Sequence, residues 1–220
     1  MTDADKTQQT GPAVADIAGL AAYALDRAGA APRFMIGMAG PPAAGKSTTA
    51  EALATAIRDA GQTATVIPMD GFHYDDAVLE TLGLRSCKGS PPTFDAAGFR
   101  VLLERIKARE NNIAIPHFDR SLELSRAAAE LVSADIKFLV IEGNYLLIDE
   151  APWSALRPLF DMTVYLQVPL EELDRRLVAR WDHFGRERQA ARKWIDENDL
   201  PNIRHVLERS AAADVVYTSV

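Results

Sequence analysis

A three-layer α/β fold on a mainly parallel central sheet is predicted by three observations on this 220-residue chain. Apolar or β-branched runs at 33–38, 63–69, 137–141 and 161–168 are separated by stretches with helical apolar spacing, the alternation that lays helices on both faces of a sheet. The run KFLVI at 137–141 is almost wholly apolar, as a strand covered on both faces must be. The first run breaks into a Gly/Pro/Ala-rich turn and then a helix-forming stretch, so strand, loop and helix follow without a linker. With 48% apolar and 25% charged residues, the composition is that of a globular chain long enough for one large core.

In chain order, residues 1–12 (MTDADKTQQTGP) are polar and expected to form a disordered tail, and 13–220 a single domain. Val14, Ile17, Ala21 and Leu25 recur at helical spacing and predict an N-terminal helix within 13–30, ended by Gly29 and Pro32. Residues 33–38 make a strand, and Leu53 and Ile57 mark the inner face of the helix over about 46–58. TATVIPM at 63–69 completes a βαβ unit, which should be parallel and right-handed. The residues after both strands then share the edge where such sheets hold ligands. A short helix is expected over 76–84 and an exposed loop over 85–94. Asp95 caps a helix carrying Phe99, Leu102, Leu103 and Ile106. Residues 112–118 resemble another strand, left at the polar turn Asp119-Arg120-Ser121. After the strands at 137–141 and 161–168, Pro169 opens a helix with Leu170, Leu173, Leu177, Val178 and Trp181 on its buried stripe. Helices at 189–196 and 203–210 and a β-prone stretch at 214–218 follow. Trp153, Trp181 and Trp194 read as packing residues.

Gly40, Gly45, Lys46 and Ser47 fit G-x-x-x-x-G-K-[ST], and they stand where that motif requires, after a strand and before a helix. Backbone N–H groups of such a loop surround phosphate oxygens, and the positive end of the following helix dipole points at the same anion. The fold is thus expected to be of the P-loop NTPase type. Ala43, Ala44 and Thr48 complete the ATP cradle, Lys46 reaches the β/γ-phosphates, and the Ser47 hydroxyl helps hold Mg²⁺. Asp70, after the second strand, is a carboxylate able to accept a hydroxyl proton, although Asp-Gly is equally a turn dipeptide. Glu142 ends the buried apolar strand, where a carboxylate can act on Mg²⁺; the alternative is a solvated strand-end acid. Arg176 and Arg180 stand one helical turn apart in a lid region of about 175–190, placed to close over phosphates. His73, Tyr74, Lys88, Asp119 and Arg120 lie at strand ends or in loops, where substrate contacts concentrate.

A formal net charge of −7 and the lack of a basic stripe argue against a nucleic-acid partner. Cys87 is alone, excluding an intrachain disulfide, and the four histidines show no metal-ligand spacing. No apolar stretch reaches membrane-spanning length, and the start lacks a signal-peptide pattern, so the expected location is cytoplasmic. The N-K-x-D guanine-reading motif is absent, which argues against a GTPase-like switch. A nucleotide-binding regulator without catalysis is the alternative of another class. The oligomeric state stays open, with a homodimer as the candidate.

Behind GPPAAGKST, the segments PMDGFHYDD, KGSPPTFD, PHFDRS, IEGNYLL and RRLVARW occur in this order. Together they resemble the phosphoribulokinase/uridine kinase family of P-loop kinases, which includes bacterial pantothenate kinase. The resemblance runs from about residue 34 to the end. The Asp-Gly-Phe-His and Glu-Gly-Asn-Tyr-Leu-Leu signatures are most similar to a bacterial branch called fructose-transport-system kinases or fructokinases. The residue pair after Asp70 departs from that usual in uridine kinases. The resemblance implies ATP and Mg²⁺, a small-molecule hydroxyl as phosphate acceptor, and Asp70 as base. It also implies a catalytic lid arginine at Arg176 and nucleotide contact from Arg180. A fructose-like sugar is the favoured acceptor, with pantothenate or a nucleoside such as uridine as alternatives.

Overall fold

A computed structural model of the chain describes residues 11–218; residues 1–10 of the expected tail lie outside the described residues. Pro12 already belongs to the fold, its carbonyl accepting the Val216 N–H at 3.0 Å. In order, the regular elements are β1 (Ala13–Val14), α1 (Ile17–Ala28), β2 (Phe34–Ala39), α2 (Lys46–Asp59), β3 (Ala64–Pro68), α3 (Asp76–Thr81) and α4 (Ala96–Lys107). Then come β4 (Ile113–Asp119), β5 (Leu124–Val132), β6 (Phe138–Gly143), β7 (Met162–Gln167), α5 (Leu170–His183), α6 (Arg188–Trp194), α7 (Leu200–Arg209) and β8 (Val215–Thr218).

The central sheet has the order β1-β8-β7-β2-β6-β3, and every neighbouring pair in it is parallel. Alternate residues of its strands enter two cores. Phe34, Ile36 and Met38 of β2 pack with Phe138 and Val140 of β6 against Leu20 of α1, Leu53 and Ile57 of α2, and Leu173 and Leu177 of α5. Met35, Leu139 and Ile141 face the other way, onto Phe99, Leu103 and Ile106 of α4. Two helical layers therefore enclose one sheet, as the continuous apolar runs require.

Two segments differ from expectation. Val14 is not helical: Asp16 in extended backbone caps α1 by accepting the Gly19 N–H, and the residues before it pair with β8 as β1. Residues 124–132 (LSRAAAELV), where no strand is expected, form β5, antiparallel to β4 in a separate two-stranded sheet. This hairpin pairs with no strand of the central sheet but buries Ile113, Ile115 and Val132 in the core beneath it and leans on the turn after β3. There a Cβ on Gly71 would sit 2.3 Å from the Pro116 carbonyl oxygen, so only glycine lets β4 approach the turn that carries Asp70. Asp-Gly is thus a close-approach site as well as a turn.

Candidate active site

The sheet register brings three strand ends together. Met38 of β2 and Pro68 of β3 both stand opposite Glu142 of β6, so the loop after β2, the turn after β3 and that acid meet at one edge. Between β2 and α2 the chain takes positive φ at Ala43 (64°) and Gly45 (88°), a loop conformation that turns successive N–H groups toward an anion. Ala43, Gly45, Lys46, Ser47 and Thr48 line a cavity of about 610 Å³. Gly40 and Ala44 do not line it. Gly40 packs against Leu166 of β7, and the buried Ala44 helps close the loop by donating its N–H to the Pro41 carbonyl.

Lys46 is buried, and its ammonium donates to the Pro41 carbonyl at 3.0 Å. Burial pushes its pKa down to about 8; Glu142 and Asp70 oppose the drop, while Arg120 and Arg180 add to it. The charged form, which a phosphate needs, is therefore present below about pH 8 in the nucleotide-free protein and lost above it. ATP affinity is expected to be flat from pH 6.5 to 7.5, then to weaken by up to about tenfold per pH unit above 8. Calorimetric titrations across that range check this, and a flat profile to pH 9.5 would show that Lys46 stays charged or makes no phosphate contact.

Beside Lys46, the Ser47 hydroxyl donates to Glu142 Oε1 at 2.9 Å. Burial raises the Glu142 pKa, with Asp70 adding to the effect and Lys46 and Ser47 opposing it. A buried carboxylate next to a hydroxyl is a hard oxygen donor set, and both groups fit Mg²⁺. Among the described residues, no cluster of three or more His, Cys, Asp or Glu could hold a metal.

Asp70 lies in the short 3₁₀ turn Met69–Phe72 and lines the same cavity. Its Oδ2 accepts from Arg120 at 2.6 Å, and its Oδ1 has no partner among the described residues. His73 also lines the cavity, stacked between Phe94 and Phe118 with ring centroids 4.0 and 4.6 Å away. Burial lowers its pKa against the pull of Asp70 and keeps the ring neutral. With Nδ1 2.8 Å from the Asp70 carbonyl, Nδ1–H is the donor there and Nε2 is left as an acceptor. Lys88 lines the cavity too, donating to Asp76 at 2.7 Å and to the Glu123 carbonyl at 2.9 Å.

Two expected substrate residues are placed elsewhere. Asp119 does not line the cavity: its Oδ1 accepts from Ser121 N, Ser121 Oγ and Leu122 N, which closes the β4–β5 turn and occupies its lone pairs. Tyr74 also stays off the wall, its backbone N–H bound to the Thr93 carbonyl.

On α5 the two arginines are placed differently. Arg176 is tied to Glu172 at 2.6 Å and donates to the Ala44 carbonyl at 3.3 Å, bracing the phosphate loop from outside the cavity. Arg180 lines the cavity instead. Burial lowers its pKa, and among the described residues no hydrogen bond or ion pair engages its guanidinium.

The far wall combines Trp181 and Arg186, inside the expected lid region of about 175–190, with Trp194, Asp199 and Asn202, to which the sequence assigned no site role. Helix α5 ends with Gly185 at φ 68°, and the Arg186 N–H turns back onto the Trp181 carbonyl at 3.0 Å. This left-handed glycine turn folds Arg186 over the helix it has just left. Its guanidinium lies 4.6 Å from the Trp181 ring and 4.7 Å from that of Trp194, all three lining the cavity. Trp181 both packs against the core, as expected, and lines the cavity, and Trp194 is a wall residue. Asp199 and Asn202 complete this side, with the Trp181 indole donating to Asp199 at 2.9 Å. The sequence signal was available in ENDLPN at 197–202, where Asn198 and Asn202 are polar residues on the buried side of a helix.

Comparison with known proteins places the chain in a family. The model described as "Phosphoribulokinase / Uridine kinase family" matches residues 35–219. A crystal structure of a "putative fructose transport system kinase" from Silicibacter sp. TM1040 aligns with TM-score 0.88 and 36% identity over 92% of this chain and 99% of that one. A "putative uridine kinase" from Schizosaccharomyces pombe is 32% identical over 84% of this chain and 82% of its own length. Pantothenate kinase from Corynebacterium diphtheriae is 28% identical over 72% of this chain, which spans 51% of that relative. Among the described residues, no helix is long and apolar enough to cross a membrane.

Proposed function

Because the chain belongs to the phosphoribulokinase / uridine kinase family, we propose that it transfers the γ-phosphoryl group of ATP to a hydroxyl of a small polar metabolite, with a fructose-like sugar favoured. It is a small-molecule P-loop kinase, a phosphotransferase with an alcohol acceptor. One observation carries the mechanism: Lys46, Glu142 and Asp70 line a single cavity that continues past the phosphate loop to His73 and Arg120.

The acceptor hydroxyl attacks the γ-phosphorus in line. Its O–P bond forms as the bond to the β–γ bridging oxygen breaks, and the electron pair leaves with ADP. Asp70 Oδ1 takes the hydroxyl proton, while Arg120 holds Oδ2 and fixes the carboxylate. Lys46 and Arg180 supply positive charge where the equatorial oxygens would lie. Ser47 and Glu142 would hold Mg²⁺, which when bound neutralises phosphate charge. His73 Nε2 is available to orient a hydroxyl, and Phe94 and Phe118 provide apolar walls for a sugar face. The likeness to the Silicibacter protein supports a sugar; the S. pombe relative is the reason to keep uridine beside it.

A coupled ADP-release screen over fructose and its phosphates, glycerate, pantothenate and uridine tests the proposal. At least one acceptor is expected to raise ADP release about tenfold or more over the acceptor-free rate, and only with Mg²⁺ present. Hydrolysis at the same rate with every acceptor and with none would overturn it.

A further inference from the structure

Building on the kinase reading of this cavity, we propose that the acceptor is a sugar-like molecule carrying an anionic group, carboxylate or phosphate, and that Arg186 receives that group.

Most cations of the cavity already have a carboxylate. Arg120 is paired with Asp70, and Arg85 and Lys88 share Asp76 at 2.9 and 2.7 Å. Lys46 has Glu142 beside it, and Arg180 is the remaining cation for the transferred phosphoryl group. Arg186 is left over. Its Nη1 is shut off from solvent with no hydrogen-bond partner, and no carboxylate among the described residues lies within 4 Å. The one acid on its own wall, Asp199, feels the charge of both Arg180 and Arg186 without forming an ion pair with either, and one of its oxygens accepts from the Trp181 indole.

A charged donor enclosed without an acceptor is costly, and the cost is recovered when an anion arrives. The stacking geometry suits a receptor. Trp181 and Trp194, with rings 72° to one another, flank the guanidinium on two adjacent sides and stabilise its charge without accepting any of its N–H groups. The wall is also fixed relative to the rest of the cavity, because Asn198 Nδ2 donates to the Ser86 carbonyl and joins it to the loop that carries Lys88. A neutral sugar would leave Arg186 unpaired.

The test compares fructose, gluconate and fructose 6-phosphate as acceptors for the full chain, in the wild type and in Arg186→Met and Arg186→Lys. Methionine keeps length and stacking bulk without charge; lysine restores charge without the fork. The anionic acceptors are expected to show kcat/KM about 30- to 100-fold above fructose, and the stronger of the two identifies the group. Arg186→Met should erase that preference by raising the acceptor KM, with the ATP KM moving less than about twofold, and Arg186→Lys should recover part of it. Equal use of fructose, or a change confined to the ATP KM, overturns the proposal. Tryptophan fluorescence separates this from failure of the kinase reading. If nothing stimulates ADP release, saturable quenching by gluconate or fructose 6-phosphate that Arg186→Met abolishes still supports the anion site. Absence of such binding overturns it.

Discussion

Asp70→Asn is expected to lower kcat by about 10²- to 10⁴-fold while leaving the ATP dissociation constant within about threefold. Asparagine keeps the shape of the side chain and can still accept from Arg120, so the ion-paired geometry at 2.6 Å is the feature least disturbed. What is lost is a carboxylate oxygen free to take the hydroxyl proton. The substitution also removes a negative charge that supports protonation of Lys46. Lys46 then titrates lower, and the comparison belongs at pH 7 or below, where the ammonium persists in both proteins. Single-turnover transfer separates the chemical step from product release. Activity within tenfold of wild type would remove Asp70 from the role of base.

Arg180→Met should cost about 10³-fold in kcat, and Arg176→Met less than about tenfold. The contrast follows from partners rather than from sequence position. Arg180 is a half-buried cation facing the cavity with no ion pair among the described residues, available for charge that develops only during transfer. Arg176 spends its guanidinium on Glu172 and on the Ala44 carbonyl, so its removal loosens the loop without taking charge from the reacting oxygens. Steady-state kinetics on the two variants decide the assignment; a larger loss in Arg176→Met would reverse it.

The phosphate half of the site is legible in the sequence because its parts are local. Gly40 to Ser47 is one loop, and Asp70 and Glu142 each end a strand whose apolar run announces it. The parallel rule then puts all three at one edge, where the register opposite Glu142 has them. The acceptor half is assembled from segments with weaker local signals. AAAEL within residues 124–132 favours a helix by propensity, yet pairing with β4 makes it a strand. Arg176 and Arg180 share a helix face, and spacing alone cannot say which reaches past the phosphate loop. Asp119 looks like a substrate ligand until its oxygen is seen closing a turn. Arg186 and its two tryptophans come together only because Gly185 reverses the chain.

The β4–β5 hairpin has a consequence for how this enzyme can diversify. It brings Phe118, Arg120 and Glu123 to the cavity but shares no strand pairing with the central sheet. Beside Asp70 it is seated by the contact of Pro116 with Gly71 and a Ser125 hydroxyl bond to the His73 carbonyl, while Ile113, Ile115 and Val132 anchor its base in the core and Thr65 of β3 donates to Glu130. The anchored base and the free tip of this module are therefore separable, since Phe118, Arg120 and Glu123 lie beyond the buried residues. Residues at its tip can be replaced to read a different acceptor while the sheet that aligns Lys46, Glu142 and Asp70 keeps its register, provided Gly71, Pro116 and the buried Ile113, Ile115 and Val132 are retained together.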